Sequence, residues 1–536
     1  LYNMFQGGVQ SLLKEGSRTF SGLEEAILKN IDACKQLSQM TRTSLGPYGM
    51  NKLVVNNLEK LFVTTDAATI MQELDIQHPA GKLIVQAAKM QESENGDATN
   101  LVVILAGELL RFAEELIQTG LHPSEILNGY ERSSKKLEEI LPELVTQTIS
   151  DFKDKDLVEK CLRPTIASKI YGYEKHLAKC VAQACMIVTE GDQKFDMDNV
   201  RVVKIQGGNL AMTEAFRGMV INRDCEGSVK EAHDAKVAVF NCPLDPQYSD
   251  TKGTVLIHNA QELMDYNKGE EQLAKNLVDE IADAGVKVVV SGGSIAEMCM
   301  HYLEQRGIMV LKIASKFEIR RISSMLGATT LVRLGAPTPE EMGHADEVVV
   351  EEIASKRVTV FKRESENSKV STIVLRASTQ NMLDDAERAI DDALNTFRIL
   401  RKDGRLVPGA GATEAEIAKR IKDFAATQPG LDQYAIIRYA QAFEAIPKIL
   451  AENAGHGANE MLSKIYAESN PKVGIDVDEG SVRDISEEIL DAFRAKSWGV
   501  KLATDVALTV LRVDQIIMSK PSGGPNPNKR PPMEED

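Results

Sequence analysis

What the sequence lacks excludes several classes of protein. Cysteine is sparse, odd in number and scattered (Cys34, Cys161, Cys180, Cys185, Cys225, Cys242, Cys299). With no Cys-x-x-Cys pair, neither a disulfide framework nor a zinc site is indicated, and reduced thiols in a cytoplasmic protein are expected. The eight histidines form no His-x3-His or His-Glu-x-x-His pattern, which argues against a metallohydrolase. A Gly-x4-Gly-Lys-Ser/Thr string is absent, so a P-loop fold is not supported. Apolar runs such as Leu101 to Ala106 are far too short to cross a bilayer, and Leu1 to Gly16 has no charged n-region ahead of an apolar core. No membrane partner is expected. Positive charge is in deficit, 63 Lys and Arg against 79 Asp and Glu, for a net charge of -16. Such a surface repels phosphate backbones, so nucleic acid is not an expected partner either.

What is present is an ordinary globular composition, 43% hydrophobic and 26% charged, over 536 residues. That length calls for roughly three or four domains rather than one core. To about residue 145 the pattern is mostly helical, with Leu23, Ile27, Ile31 and Leu37 near helical spacing and amphipathic stretches at Leu101–Ile117 and Ser124–Leu141. The middle differs. Strand-like runs at Val237–Cys242, Gly253–Ile257, Val286–Val290, Ile308–Ile313, Thr329–Leu334, Val358–Phe361 and Thr372–Leu375 alternate with helical stretches at Ala260–Ala284, Ile295–Arg306 and Phe317–Leu326. This predicts a mixed or parallel sheet covered by helices, an α/β domain over about 215–365. From Asn381 the helical stripe returns (Leu383, Ala386, Ile390, Ala393, Phe397, Leu400), and helices are expected to Met518, interrupted by a β-like stretch at Val473–Val477. The tail from Ser519 to Asp536, rich in Pro, Gly and charge, is predicted to be disordered. The fold class is thus mixed α and α/β, with an α/β domain inserted into a helical one whose two outer parts can share a core.

Four segments outside the insert carry chemistry-bearing residues. Ser44-Leu45-Gly46-Pro47-Tyr48-Gly49 follows a predicted helix, and its backbone can approach an anion, although a plain helix-ending turn is the more frequent meaning of such a lone pattern. Gly96-Asp97-Ala98-Thr99-Asn100 runs into an apolar helix whose start suits a phosphate, with Asp97 available to Mg²⁺; a simple cap by Asp97 or Thr99 is the bland alternative. The third is Thr64-Thr65-Asp66-Ala67-Ala68-Thr69. The fourth pairs Asp391 and Asp392 with the loop Gly409-Ala410-Gly411-Ala412. Asp392 lies about 200° round a helix from Ile390, off the apolar stripe, where a carboxylate is usually just solvated.

Taken in order, Leu45-Gly46-Pro47, Asp66-Ala67-Ala68-Thr69, Gly96-Asp97-Ala98-Thr99 and Pro408-Gly409-Ala410-Gly411 resemble the nucleotide-site motifs of group II chaperonins. The likeness extends along essentially the whole chain through Phe443-Glu444-Ala445-Ile446-Pro447, Ala451-Glu452-Asn453-Ala454-Gly455 and Val510 to Met518. The ending, with Lys520 to Pro525, looks most like one particular subunit of the eukaryotic complex. The resemblance implies an equatorial domain from both chain ends (1–145 and 405–518), a hinge-like intermediate domain (146–214 and 366–404) and an apical client-binding domain (215–365). A helical protrusion within Pro243 to Glu271 would serve as a built-in lid. It implies an ATP hydrolase that folds unfolded, actin- and tubulin-like clients inside a double ring of paralogous subunits, using ATP/ADP and Mg²⁺. By motif, Leu45, Gly46, Ala98, Thr99 and Asn100 would contact nucleotide and Asp97 the metal. Ala167, Ser168 and Lys169 would sense the terminal phosphate, Gly411 and Asp491 line the nucleoside end, and Asp66 and Asp392 activate water. Clients would meet Phe317, Arg320, Arg321 and Ser324, on a helix that could equally be a sheet-covering one with a solvated face. The motif departs from the family's Gly-Asp-Gly-Thr-Thr at Ala98 and Asn100, and Ala67 and Ala410 also stand where glycine is common, so slow turnover is expected. Two rivals follow: a structural ring member with little turnover, and an unrelated metabolic ATP-dependent enzyme, monomeric or a small oligomer.

Overall fold

In the computed structural model, residues 18–21, 23–189, 195–245, 258–363 and 370–518 are described. They divide into two units. One joins the chain ends (to Thr146, Val407–Glu487 and from Phe493), and the other holds Gln147–Leu406 with Glu488–Ala492.

The first unit is built around the helix Thr99–Gln118, buried at every position from Leu101 to Leu110. A helix apolar all round must be wrapped by others. Here the wrapping comes from both chain ends: Ile27, Ile31 and Cys34 of Leu23–Arg42, Tyr439 and Phe443 of Asp432–Phe443, and Val500, Ala503 and Ala507 of Phe493–Leu511. The Tyr130 and Tyr439 rings meet edge-on at 5.3 Å, and their hydroxyls are bonded, one to the Leu109 carbonyl and the other to Thr504. Glu108, the one acid in the buried stretch, is neutralised by Arg42 and Arg111. Two strand pairs lie in regions read as helical. One is the hairpin Lys52–Val55 with Leu61–Thr64. The other pairs Arg18–Ser21 with Gln515–Met518, so the last helix stops at Leu511 rather than reaching Met518. Val473–Asp476 is a strand as expected, paired with Ser481–Asp484.

In the second unit, a seven-stranded sheet has parallel pairing among Met309–Lys312, Val288–Ser291 and Glu231–Phe240, with Thr330–Leu331 also parallel to the last, then antiparallel pairing through Gly343–Ile353, Lys356–Lys362 and Met219–Ile221. The mixed sheet was legible, but Gly343–Ile353 was not. Alternation divides its strands between two cores. Val237, Val239, Val288 and Val290 face Lys316–Leu326, while Ala238, Phe240, Val289 and Val310 face Ala260–Asp283 and Glu297–Gln305. Helices on both faces explain the unbroken valine runs. The expected strand at 253–257, residues 246–257 of the segment expected to hold the helical protrusion, and the tail from Ser519 lie outside the described residues. A second cluster packs Lys155–Ala167, Glu174–Thr189 and Gln380–Lys402 on the three-stranded sheet of Val200–Gln206, Ser371–Ala377 and Glu214–Arg217. All seven cysteines are unpaired, and burial pushes the Cys34 thiol up to about 12, out of reach of thiolate chemistry.

Candidate functional site

The Thr99 helix begins without a side-chain cap. Gly96 ends the preceding helix, Pro79–Asn95, in the left-handed region at φ 66°, and Ala98, at the N-cap, is left-handed as well (φ 64°, ψ 25°). Neither Asp97 nor Thr99 caps the helix. The Asp97 carboxylate accepts the adjacent Ala98 N–H at 2.6 Å, and the Thr99 hydroxyl donates to Asp66 Oδ1 at 3.2 Å. The leading N–H groups of a twenty-residue helix, with its dipole, are thus left for an anion.

Around that start three other segments are tied down. Asp66 caps the helix Ala67–Glu73, its Oδ2 accepting the N–H of Thr69 at 3.0 Å and its hydroxyl at 2.7 Å. The Asn100 amide accepts from the Ala67 N–H at 2.8 Å and donates to the carbonyls of Ser44 at 3.1 Å and Thr65 at 3.3 Å. Asn453 donates to the carbonyls of Leu45 and Arg42, and Gln91 bridges the carbonyls of Asp97 and Ala495. The helix Ala445–Asn453 forms a common wall. A Cβ on Gly46 would lie 2.5 Å from Leu450 Cδ2, and one on Gly411 would lie 2.9 Å from Pro447 Cβ. Gly411 starts the helix Ala412–Thr427, also without a side-chain cap. Leu45 and Ala98 pack into one apolar cluster with Leu101, Ile446 and Ile449.

The structure therefore brings together Leu45, Gly46, Asp66, Asp97, Ala98, Thr99 and Asn100, with Gly411 on the same wall. Sequence reasoning missed Gln91 and Asn453 as site residues. The available signal for Gln91 was a polar residue continuing the buried face of Ile84, Ala87 and Ala88. Among the described residues, no group of three or more His, Cys, Asp or Glu is placed to hold a metal ion. A lone carboxylate such as Asp97 fits only an ion that draws its other oxygens from phosphate and water, the habit of Mg²⁺.

The remaining candidates belong to the second unit. Ala167 ends the Lys155 helix, Ser168 caps it, and the Lys169 ammonium pairs with Asp392 Oδ2 at 2.5 Å, both side chains being mostly buried. The Thr165 and Thr396 hydroxyls, 3.3 Å apart, join the same two helices. Asp392 does leave the apolar stripe, but it meets a lysine instead of solvent. Its neighbour Asp391 is half-buried, and its carboxyl is pushed up to about 6, first by desolvation and then by Glu387, against the pull of Lys169 and Lys204. Asp491 sits on the strand Leu490–Ala492. On the Lys316 helix Phe317, Arg320 and Ser324 are exposed, while Arg321 is half-buried and lies 3.8 Å from Asp198.

Residues 37–521 match the TCP-1/cpn60 chaperonin family, and the chain belongs to that family, with its mixed helical and α/β fold. It is 52% identical over 526 residues to T-complex protein 1 subunit theta of Homo sapiens and of Gallus gallus, covering 97% of this chain and 96% of each relative. The subunit theta of Dictyostelium discoideum is 50% identical over 534 residues, 99% of both chains. Theta is also the subunit that the C-terminal run resembles.

Two predictions follow from this geometry. Of the three alanines standing where glycine is common, Ala98 and Ala410 have positive φ (64° and 45°), whereas Ala67 opens a helix. Ala98→Gly should raise the unfolding free energy by about 1 kcal/mol and Ala67→Gly lower it by about as much, read from denaturant midpoints of the full chain. Equal signs for the two would contradict the backbone argument. Because Asp391 binds its proton more tightly folded than unfolded, the stability it contributes is complete below its ordinary value near 4 and is lost as pH rises through about 6. Asp391→Asn should therefore out-melt the parent at pH 8, with the margin shrinking at pH 5; a pH-independent difference would refute the assignment.

Proposed function

We propose that this chain is an ATP-hydrolysing chaperone subunit of a hetero-oligomeric double ring, acting on unfolded protein clients in the cytoplasm. The observation that carries the reading is the meeting of the Ser44 loop, Asp66 and the uncapped start of the Thr99 helix. Phosphoryl transfer to water asks a protein mainly for charge neutralisation and an oriented nucleophile. The open N–H groups at Thr99 and Asn100 take the phosphates, Leu45, Gly46 and Gly411 hold the nucleotide, and Asp97 is the ligand for Mg²⁺. When bound, the ion supplies neutralisation of the phosphate oxygens. Asp66 orients the water that attacks the terminal phosphorus as the bond to the ADP oxygen breaks, and the water's proton leaves to a carboxylate; Asp392 is given a water-activating role by the motif it resembles. Lys169 enters as the phosphate sensor, because its ammonium, now spent on Asp392, is the kind of group a terminal phosphate competes for. Ala167, Ser168 and Asp491 join through the motifs they resemble.

The first unit, whose core mixes both chain ends, takes the equatorial role. The Lys155, Glu174 and Gln380 helices form the hinge, and the seven-stranded sheet with its helices forms the apical part. Clients are met by the exposed face of Phe317, Arg320 and Ser324, with Arg321 beside it.

Neighbouring ring subunits are supported by the hairpin Lys52–Val55 and Leu61–Thr64. A two-stranded ribbon alone is marginal, yet this one exposes Leu53, Val55, Leu58 and Leu61, with Met50 beside it. Covering that ribbon with a neighbour removes the liability.

Photolabelling of the assembled complex with 8-azido-ATP tests the site. Asp97→Ala should cut labelling of this chain about ten-fold or more, as expected for losing a charged group that holds the ligand's metal. Labelling at the parent level would sink the nucleotide reading. Ring membership has a separate readout. Gel filtration should find this chain in a species on the order of a megadalton, and Leu53→Lys with Val55→Lys should release it to a small form. Retention of the doubly charged hairpin in the ring would overturn the interface.

A further inference from the structure

Asn100 stands where the resembled motif carries threonine, and the resemblance alone makes it a phosphate contact. Its side chain is otherwise employed. Oδ1 accepts the Ala67 N–H, and Nδ2 donates to the carbonyls of Thr65 and Ser44. Two of these bonds flank Asp66, one on the peptide before it and one on the peptide after it. The adjacent Thr99 hydroxyl holds the Asp66 carboxylate itself. The third bond fixes the carbonyl immediately ahead of Leu45 and Gly46.

We infer that Asn100 is a positioning residue. Its amide locks the Asp66 segment and the Ser44–Gly46 loop onto the first turn of the Thr99 helix, so that the nucleotide site is assembled before nucleotide arrives. The chemistry of the side chain supports this. An amide offers one acceptor oxygen and two donor hydrogens, matching one N–H and two carbonyls. A threonine hydroxyl has a single donor hydrogen and cannot serve two carbonyls at once. The segments joined are 33 to 56 residues apart in sequence, so no local bond substitutes for the amide.

The inference rests on the nucleotide reading of the site, and its test separates the two. Assembled complexes carrying Asn100→Thr or Asn100→Ala in this chain are compared with the parent. Threonine is the residue of the resembled motif, which guards against a variant that fails to fold. Hydrogen exchange without nucleotide, followed over residues 64–71, reads the Ala67 amide directly, and about ten-fold faster exchange is expected in both variants. Titration with 8-azido-ATP should then show this chain's half-saturating concentration rising about ten-fold with the labelling plateau unchanged. A general folding defect would instead lower the plateau. Parent-like exchange in both variants overturns the clamp. Faster exchange with an unmoved half-saturation overturns the positioning role. If the parent chain takes no label at all, the nucleotide reading falls, and the exchange result still judges the clamp by itself.

Discussion

The loops tied together at the candidate site of the first unit are referenced to one object, the first turn of a deeply packed helix. The Thr99 helix is buried from Leu101 to Leu110 and wrapped by helices from both ends of the chain, so shifting or turning it would open a close-packed core. A helix that rigid would ordinarily be capped. Here its N-cap residue is an alanine in the left-handed region, the neighbouring carboxylate is bonded one residue on, and the next two side chains are turned outward to hold Asp66 and the Ser44 loop. The cost of uncapped donors falls on the protein, and the immobility of the core is what makes that cost sustainable. Loops tied to a mobile helix would gain nothing from being tied.

The alanines express the same preference. A glycine at position 98 or 410 could leave the left-handed region at little expense; an alanine held there by its surroundings has fewer conformations to visit. Strain of this kind persists only where neighbouring structure over-determines the backbone. At Ala98 that neighbour is the apolar cluster of Leu45, Leu101 and Ile449, and at Ala410, in a turn, it is Ile475, whose N–H donates to the Ala410 carbonyl. Both loops are therefore set by contacts made elsewhere in the unit. Ala67, in an ordinary helical position, shows that the replacement of glycine does not have one meaning along the chain.

How much of this was readable beforehand divides along physical lines. Periodicity reports burial, so the Ala260, Glu297 and Lys316 helices and the valine strands between them were legible to within a few residues. Gly343–Ile353 was not, because a strand carrying Asp346, Glu347, Glu351 and Glu352 has an exposed face that alternation in hydrophobicity does not mark well. The short strands at Arg18–Ser21 and Gln515–Met518 escaped for a different reason: each is defined by a partner nearly five hundred residues away. Site residues followed the same rule. Asp66, Asp97 and Gly411 stood out by residue type and by their place in an ordered series of motifs, although a carboxylate at a helix start is also an ordinary cap, as Asp66 is. Gln91 and Asn453 did not, and Asn100 stood out only as a phosphate contact, because an amide's role is set by the carbonyls it meets, and those lie on other segments.

The adjacent pair Asp391 and Asp392 shows why type and spacing alone could not assign a charge. Neighbouring residues on a helix point about 100° apart, enough to enter different surroundings. Asp391 is taken out of water beside Glu387, and the lysines within range do not cancel the penalty, so its carboxyl holds a proton well above the ordinary range. Asp392 lands on the Lys169 ammonium, a geometry in which the ionised form is the one that gains a partner. Only the second of the two is paired directly with a cation. Rotating the helix by one residue would carry Asp391 to the lysine and take Asp392 off it, so the pairing depends on the register of the helix and not on the residue type.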